Sequence, residues 1–427
     1  MFSIHTLTQR FQTLLHNKTV RNGGLYAVFS FFNRGVSFVL LTILARYIAP
    51  AEYGELSLFN TVVTFLGYFV GLSTAGYVSV SFFKESKDKF KEDFSTICLI
   101  TVFASSILLV LFLLSSQWLS GLLKVSVKFL FLGLIISFAN VFVGLNLDFF
   151  RVQEKLSWYG ILSCSFALLN FVLALYLVIG KELNWHGQVY ALATCNVIFA
   201  LIALFFFIKN KLFCIPHSWA NFKKIIIWGL PIIPHLASGW VKNGLDRYII
   251  EGTHTMADVG LFSFAMTLAT VIIMIGQAFN QTNSVNIYQT LSSDNCKENK
   301  IKSLIRKERF LSLFFLGAVV VVIIGGIVFI PIFMPKYTAC IPYFVVLSVY
   351  GFFQCIYFLY CNYLFYYGST KQLMLITFGT SILHLLLSLW LTRFSLYFTC
   401  FIYLVSIIIV VILVYHQSRK LLNSKLV

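Results

Sequence analysis

Twelve long apolar stretches are the feature of this sequence that most restricts its fold. Each is about 20 residues long, the length that a helix needs to cross the hydrocarbon core of a bilayer. The stretches are residues 25–45, 58–80, 94–116, 127–147, 159–179, 188–208, 225–245, 259–279, 310–330, 342–364, 372–392 and 395–415. They are too long and too continuous for the alternating strands of a transmembrane β-barrel. The sequence therefore predicts an all-α membrane protein with twelve transmembrane helices.

The composition excludes two other broad classes of protein. Hydrophobic residues make up 59% of the 427 residues and charged residues only 11%, whereas a soluble protein has roughly 25% charged residues. So few polar groups cannot cover a soluble domain, and disorder requires low hydrophobicity. Residues 1–23 lack the continuous apolar core of a signal peptide. They are predicted to form a cytoplasmic amphipathic segment on the membrane surface, with a frayed polar lead-in as the alternative.

The basic residues predict the orientation of the chain. Lys and Arg outnumber Asp and Glu by 32 to 15, which gives a net charge of +17. With a cytoplasmic N-terminus, 23 of the 32 basic residues fall in cytoplasmic segments and six in outer segments. Because cytoplasmic loops carry the excess of Lys and Arg, both termini are predicted to be cytoplasmic. The positive charge therefore points to topology and to membrane lipids as partners, and not to nucleic acid.

Short similar segments after the first and seventh stretches predict an internal repeat. Residues 46–48 and 247–249 are both Arg-Tyr-Ile, and residues 54–58 resemble residues 260–264. The offset is close to half the chain and pairs two helices that run in the same direction, as parallel transporter repeats do. The predicted domains are an N-terminal six-helix bundle at 24–208, a cytoplasmic linker at 209–224, a C-terminal six-helix bundle at 225–416 and a cytoplasmic tail at 417–427.

Charged side chains within the apolar stretches are candidate functional residues, because a charge in the membrane is costly unless it faces a partner or a wet cavity. Arg34 lies in the middle of the first stretch, and it either binds an anion in a cavity or pairs with a neighbouring polar group. Lys242 and Asp246 are four residues apart at the outer end of the seventh stretch, so Lys242 either binds substrate or pairs with Asp246. Arg247 is either an interfacial anchor or a ligand-binding group.

The seventh stretch is also predicted to be broken. Pro231 and Pro234 lie within it, and proline removes a helical hydrogen bond and kinks the helix. Broken helices in membranes usually line a cavity. His235 follows these prolines and aligns with Arg34 in the repeat; it either titrates near neutral pH or is a packed, hydrogen-bonded histidine. His384 in the eleventh stretch is a weaker candidate.

No pattern of residues predicts catalysis or a bound cofactor. The sequence has no phosphate-binding G-x-x-x-x-G-K-[ST] loop and no C-x-x-C pair. No carboxylate pair, Ser/His/Asp set or metal-ligand spacing stands out. We therefore expect a protein that is not an enzyme and that has no cofactor or metal.

Three segments carry a resemblance to a known family. Residues 45–54 read Ala-Arg-Tyr-Ile-Ala-Pro-Ala-Glu-Tyr-Gly after the first stretch, and this resembles the opening of the polysaccharide-biosynthesis flippases. These are the O-antigen, Wzx-type members of the multidrug/oligosaccharidyl-lipid/polysaccharide exporter superfamily. Residues 228–235 with 246–250 are similar to the seventh helix of that family, and residues 259–264 with 278–280 are similar to its eighth helix.

The resemblance implies two six-helix bundles around a central V-shaped cavity that opens alternately to either side of the bacterial inner membrane. It implies a substrate, an undecaprenyl-pyrophosphate-linked oligosaccharide of O-antigen or capsule, moved from the cytoplasmic to the periplasmic leaflet. It also implies a cationic cavity, which Arg34, Lys242, Arg247 and His235 would line, and coupling to a proton or sodium gradient, for which Asp246 is the candidate. A polymerase and a chain-length regulator of the same pathway are implied partners.

Two alternatives stay open at this stage. A drug/cation antiporter of the same superfamily would share the fold, but it would favour acidic groups in its cavity, and the basic groups in the stretches count against it. A membrane-bound O-antigen polymerase or glycosyltransferase would carry a sizeable outer loop, and the predicted outer loops are short.

Overall fold

The computed structural model describes residues 18–215, 218–293 and 296–425, and this part of the chain contains helices and no strands. Most of the predicted amphipathic segment at 1–23 lies outside these residues. The α-helices are α1 (Lys18–Tyr47), α2 (Pro50–Val70), α3 (Tyr77–Lys84), α4 (Lys87–Leu123), α5 (Val127–Val152), α6 (Leu156–Leu175), α7 (Asn184–Lys209), α8 (Trp219–Gly229), α9 (Ile232–Asn243), α10 (Leu245–Thr253), α11 (Met256–Ser292), α12 (Lys297–Phe333), α13 (Ile341–Tyr366), α14 (Thr370–Leu391) and α15 (Leu396–Lys425). A π-helical turn (Tyr176–Gly180) extends α6, and 3₁₀ turns (Pro335–Cys340 and Thr392–Phe394) precede α13 and α15.

Eleven helices within the described residues are long and apolar enough to cross a membrane, with α8 to α10 counted as one span. The chain is therefore an all-α, multi-pass membrane protein, as predicted. The twelfth predicted span corresponds to α2, which has 21 residues, carries Glu52, Glu55 and Asn60, and is not among these eleven.

The second apolar stretch shows a difference between the predicted and the observed bounds. The sequence predicts a single helix over residues 58–80, whereas α2 begins at Pro50 and ends at Val70. Proline is favoured in the first turn of a helix, where its missing N–H costs nothing, and Glu52 accepts a hydrogen bond from the Ala49 N–H at 2.8 Å. The chain then turns at Leu72 and Ser73, which both have positive φ angles, before α3 begins.

The predicted break in the seventh stretch is confirmed. Helix α8 ends at Gly229, α9 begins at Ile232, and Pro231 lies between them. Pro234 falls in the first turn of α9, where a helix tolerates it. A second break follows at Gly244, between α9 and α10.

The chain divides into two compact units. Unit 1 comprises Met1–Leu44 and Phe59–Ala237, and unit 2 comprises Ala45–Leu58 and Ser238–Val427. The six-helix bundles at 24–208 and 225–416 stay a prediction.

Aromatic side chains dominate the core of unit 1. A cluster of buried residues from α3, α4, α5, α7 and α8 is built around Phe94, Phe149 and Phe207. The Phe94 and Phe207 rings meet edge to face with their centroids 4.8 Å apart, a favoured geometry for aromatic pairs. Near one end of this core, Arg151 forms a salt bridge with Asp148 at 2.8 Å.

The core of unit 2 joins its short first segment to the later helices. Tyr53, Phe264 and Tyr337 form a buried aromatic cluster, and the centroids of Phe264 and Tyr337 lie 4.4 Å apart. The Tyr337 hydroxyl donates to the backbone carbonyl of Ile48 at 3.1 Å. Segment 45–58 is therefore held to α11 and to the 3₁₀ turn by packing and by a buried hydrogen bond.

Candidate functional site

The break at Gly244 places Asp246 in the first turn of α10, inside unit 2. The Gly244 N–H donates to the Trp240 carbonyl at 2.6 Å and thereby closes α9, and the Arg247 N–H donates back to the Gly244 carbonyl at 3.2 Å. Asp246 is 1% exposed. A carboxylate in the first turn of a helix is favoured by the helix dipole, so the local fold stabilises a negative charge at this position.

Two side chains of α14 hydrogen-bond to the Asp246 carboxylate. His384 Nε2 lies 2.8 Å from Oδ2, and the Ser388 hydroxyl donates to Oδ1 at 2.5 Å. Tyr403 of α15 is a further hydrogen-bonding partner of this carboxylate. A buried carboxylate with three partners is satisfied, which removes most of the cost of burying it.

His384 is itself buried and has a partner on each side. Its second ring nitrogen, Nδ1, lies 3.1 Å from the Ser406 hydroxyl, and its ring packs edge to face on Tyr403 with centroids 4.7 Å apart. The Ser406 hydroxyl can accept from a protonated Nδ1 or donate to a neutral one. The site is therefore compatible with both a neutral and a charged His384.

Hydroxyl groups continue the network from Asp246 towards the end of α14. The Ser388 hydroxyl lies 3.3 Å from the Thr392 hydroxyl, which accepts from Thr399 at 3.0 Å. His254, which is partly exposed, lies with its Nε2 2.7 Å from the Thr392 carbonyl. The network thus connects the buried carboxylate to hydroxyls close to a partly exposed imidazole.

The predicted pairing of Lys242 with Asp246 rested on one continuous helix, and this premise is wrong because Gly244 separates α9 from α10. The backbones of His235 and Lys242 belong to α9, but their side chains lie outside the described part of the structure. The described partners of Asp246 are those on α14 and α15.

Arg247 follows Asp246 and contacts two serines. Its Nε donates to the Ser57 hydroxyl at 2.6 Å and to the Ser263 hydroxyl at 3.2 Å. Ser57 also donates to Ser263 at 2.8 Å. The guanidinium therefore joins α10 to α2 and α11, and it is not only a surface anchor.

The contact of α2 with α11 depends on two glycines. A Cβ on Gly260 would lie 1.7 Å from the Pro50 carbonyl oxygen, and a Cβ on Gly54 would lie 2.4 Å from the Met256 carbonyl oxygen. Both are backbone atoms that cannot move aside, so only glycine allows this approach. These glycines and the two serines are the pairs that the repeat alignment of 54–58 with 260–264 matches.

Arg34 lies near the middle of α1, in unit 1, and its side chain is exposed. The Phe31 and Phe32 side chains beside it are exposed as well.

A comparison with protein families decides the family of the chain. The family model described as "Polysaccharide biosynthesis protein" matches residues 19–283. The chain belongs to the polysaccharide biosynthesis protein family. The resemblance seen in the sequence is thereby confirmed at the level of the family. The match includes α1, α2 and the whole of the broken seventh span.

Two relatives of this family member come from Haemophilus influenzae. A protein named for the Lsg locus is 25% identical over 360 residues, which cover 83% of this chain and 86% of the relative. A second, described as an uncharacterized membrane protein, is 23% identical over 375 residues, which cover 83% of this chain and 85% of the relative.

Solved structures show the fold of this chain. The lipid II flippase MurJ in an inward closed conformation matches with a TM-score of 0.73 at 13% identity, over 92% of this chain and 87% of that one. An inward-facing multidrug resistance transporter of the MATE family, in the MOP superfamily, matches with a TM-score of 0.69 at 14% identity, over 93% and 95% of the two chains. The family member therefore has the MATE- and MurJ-like fold.

The sequence contained a signal for the partners of Asp246. Thr380, His384, Ser388 and Thr392 recur at every fourth position through the second half of α14 and into the 3₁₀ turn after it, and residues four apart share a helix face. All four are buried. The signal lies in the spacing of the four residues and not in His384 by itself.

Proposed function

We propose that this protein is a flippase for an undecaprenyl-pyrophosphate-linked oligosaccharide, such as an O-antigen or capsule repeat unit. The protein would move it from the cytoplasmic to the periplasmic leaflet of the bacterial inner membrane by alternating access, with both of its own termini cytoplasmic. A polymerase and a chain-length regulator would act on the product. The family supports the link to polysaccharide synthesis, and the likeness to a lipid II flippase supports a lipid-linked substrate.

Arg34 is the observation that carries the substrate class. Its exposed guanidinium lies halfway along a helix that is apolar enough to cross a membrane. A charge at that depth is costly against lipid and is favoured against a wet cavity or an anion. A diphosphate is such an anion, and guanidinium binds phosphate with paired hydrogen bonds.

Arg34→Ala tests the substrate class. The experiment uses proteoliposomes that contain a lipid-linked oligosaccharide, and transfer is measured as access of an impermeant glycan-modifying reagent. We expect Arg34→Ala to abolish transfer and Arg34→Lys to retain part of it. Arg46→Ala is the matched control, because Arg46 is an exposed arginine at the end of the same helix. Full transfer by a normally expressed Arg34→Ala protein would refute the role of Arg34.

Asp246 and His384 are the proposed site of ion coupling, with a proton as the ion. A buried carboxylate 2.8 Å from an imidazole can share a proton with it, and hydrogen bonds from Ser388 and Tyr403 stabilise the carboxylate that remains when the proton leaves. The hydroxyl groups of Ser388 and Thr392 offer a hydrogen-bonded route towards the partly exposed His254. Arg34 and Arg247 would bind the substrate, and His235 and Lys242 remain candidates for the same role.

Proton coupling is tested separately from substrate binding. We expect an inward-directed or outward-directed pH gradient to change the rate of oligosaccharide transfer by wild-type protein, while a sodium gradient at constant pH does not. Asp246→Asn should remove the response to the pH gradient. If the transfer rate responded to a sodium gradient and not to a pH gradient, sodium would be the coupling ion and the proposal of proton coupling would be refuted.

A drug/cation antiporter is the second candidate, because the multidrug transporter matches 93% of the chain with a TM-score of 0.69, against 92% and 0.73 for the flippase. The two candidates differ in the charge of the transported molecule. Efflux of a cationic dye by the wild-type protein, unaffected by Arg34→Ala, would favour the antiporter.

A further inference from the structure

A cavity of about 660 Å³ lies at the end of unit 2 where α12 begins and α15 ends. The cavity lies beside the first half of α12, from Ile301 to Leu313. None of the proposed substrate-binding or coupling residues lines it. One wall is polar and the other is apolar, so the cavity suits an amphiphilic molecule.

A buried ion pair forms the polar wall. Glu308 of α12 is 5% exposed; it pairs with Arg419 of α15 and accepts a hydrogen bond from the Tyr363 hydroxyl at 2.5 Å. The Arg419 guanidinium also lies over the Tyr415 ring, 5.0 Å from its centroid. The two charges cancel, and the aromatic contact holds Arg419 in place.

Arg309 adds a charge that this pair does not cancel. It also lines the cavity, its side chain is exposed, and among the described residues no carboxylate lies within salt-bridge distance of it. Ser312 and Asn423 line the same space and supply neutral polar groups. The cavity therefore carries a net charge of about +1, which matches a phosphodiester with a single negative charge.

The apolar wall continues from these groups along α12. Ile301, Ile305 and Leu313 line the cavity, and the neighbouring Phe310 is 68% exposed. Phe310 and Leu313 fall within the predicted membrane stretch at 310–330, so we expect this part of the wall to face acyl chains. Phosphate-binding groups beside an acyl-chain surface are the arrangement that a phospholipid fits, because its headgroup and chains meet at the same depth.

We propose that this cavity binds the headgroup of an anionic phospholipid, with its phosphodiester on Arg309 and its acyl chains along α12. Arg419 and Glu308 form the rigid wall and do not need to exchange partners. The site is independent of the proposed flippase activity, since it concerns a resident lipid and not the transported one.

Native mass spectrometry of the full-length protein tests this site. The protein is purified in mild detergent with equal amounts of phosphatidylglycerol and phosphatidylcholine, and the bound lipids are counted. We expect wild-type protein to retain phosphatidylglycerol about fivefold more than phosphatidylcholine, the effect of about one basic contact. Arg309→Gln should remove this preference. Equal retention of the two lipids by wild-type protein would overturn the proposal.

Two further variants separate the cavity from general surface charge. Arg306→Gln removes the same charge from an exposed position of α12 that does not line the cavity, and we expect it to leave the preference unchanged. Ser312→Trp fills the cavity at constant charge and should reduce phosphatidylglycerol retention as Arg309→Gln does. A loss with Arg306→Gln equal to that with Arg309→Gln, or no loss with Ser312→Trp, would contradict a specific cavity.

A soluble ligand distinguishes lipid from free phosphate. Inorganic phosphate and glycerol phosphate are added to the delipidated protein, and the melting temperature is compared with that after addition of phosphatidylglycerol. We expect stabilisation by the lipid alone, because the apolar wall contributes to binding. Equal stabilisation by either soluble ion would overturn the assignment to a lipid.

Discussion

Among the residues that the structure describes, unit 2 buries two carboxylates, and they differ in the kind of partner that each one has. Glu308 faces a guanidinium and a phenol. Asp246 faces an imidazole, a serine hydroxyl and the Tyr403 phenol. Arginine stays charged at any pH that the protein meets, whereas histidine changes its charge near neutrality. Glu308 therefore has a partner of fixed charge, while Asp246 has a partner that exists in a neutral and a charged form.

The difference teaches that burial alone does not identify a functional carboxylate. Both groups are at least nine-tenths buried and both are hydrogen-bonded. Of the two carboxylates, Asp246 is the one with an imidazole partner, and the Ser406 hydroxyl behind His384 can accept from a protonated Nδ1 or donate to a neutral one. The two sites therefore predict opposite outcomes when the acid is replaced by its amide.

The largest effect is expected on transport from Asp246→Asn. The amide keeps the shape and can bond to Ser388, but it cannot carry a proton. We expect pH-driven transfer of lipid-linked oligosaccharide to fall on the order of 100-fold, the scale of losing a proton-transfer group, with normal thermal stability. Proteoliposome transfer and a thermal melt of the same preparation measure both. Unchanged transfer would remove Asp246 from the mechanism.

Glu308→Gln is expected to act on stability instead. It leaves Arg419 without its counter-charge, and we expect a loss of about 2 kcal/mol, less than for a fully buried pair because Arg419 is partly exposed. Transport by the surviving folded protein should be unchanged. Replacing both residues, Glu308→Met with Arg419→Met, should restore most of the stability. Failure of the double variant to recover, as judged by denaturant melts, would show that the pair does more than cancel charge.

Ser388→Ala should have a smaller effect on the Asp246 site. It removes one of the hydrogen bonds to the carboxylate, which we expect to cost about 1 kcal/mol. Ser381→Ala is the control on the same helix, because the Ser381 hydroxyl bonds to the carbonyl of Thr377 one turn away. Equal destabilisation by the two variants in denaturant melts would mean that the Asp246 hydrogen bond has no special weight.

The smallest effect is expected from a solvent-facing pair in unit 1. Lys224 donates to Glu85 at 2.8 Å, and this hydrogen bond lowers the pKa of Glu85 below its ordinary value of 4.5. A lowered pKa stabilises the fold above the unfolded-state pKa, and this contribution is lost as the pH falls through the folded-state pKa. Glu85→Gln should therefore lower the melting temperature only slightly at pH 7, and this difference should disappear as the pH falls through the folded-state pKa of Glu85, which lies below 4.5. A difference that grows in acid would reverse the sign of the pKa shift.

Local rules predicted much of the fold from the sequence. The long apolar stretches predicted the membrane helices, and Pro231 predicted the break after α8, since both depend on neighbouring residues only. The start of α2 at Pro50 was missed because Glu52 and Glu55 make its first turns look like a loop. The turn at Leu72 was missed because neither Leu72 nor Ser73 is a residue type that favours positive φ angles.

The candidate site was harder to predict, because its contacts join residues far apart in sequence. The sequence names Asp246 as the candidate for ion coupling, but the His384 and Ser388 partners of its carboxylate lie on α14, more than 130 residues later. Sequence spacing offered Lys242 as a partner, and Gly244 breaks the helix on which that spacing depends. The binding roles of Arg34, His235 and Lys242 stay predictions, because such a role is defined by contacts with the substrate and not by contacts within the chain.

The contact between α2 and α11 limits which residues can stand at the matched positions of these two helices. Gly54 approaches Met256, and Gly260 approaches Pro50, so each contact is repeated with the partners exchanged. This is the pattern of an isologous interface, in which a surface meets its own equivalent across a two-fold axis. Here both surfaces lie on one chain. A side chain added at Gly54 or at Gly260 would meet the backbone of the other segment. Each segment therefore limits the size of the residue that the other can carry at this position, as the two subunits of a symmetric dimer do.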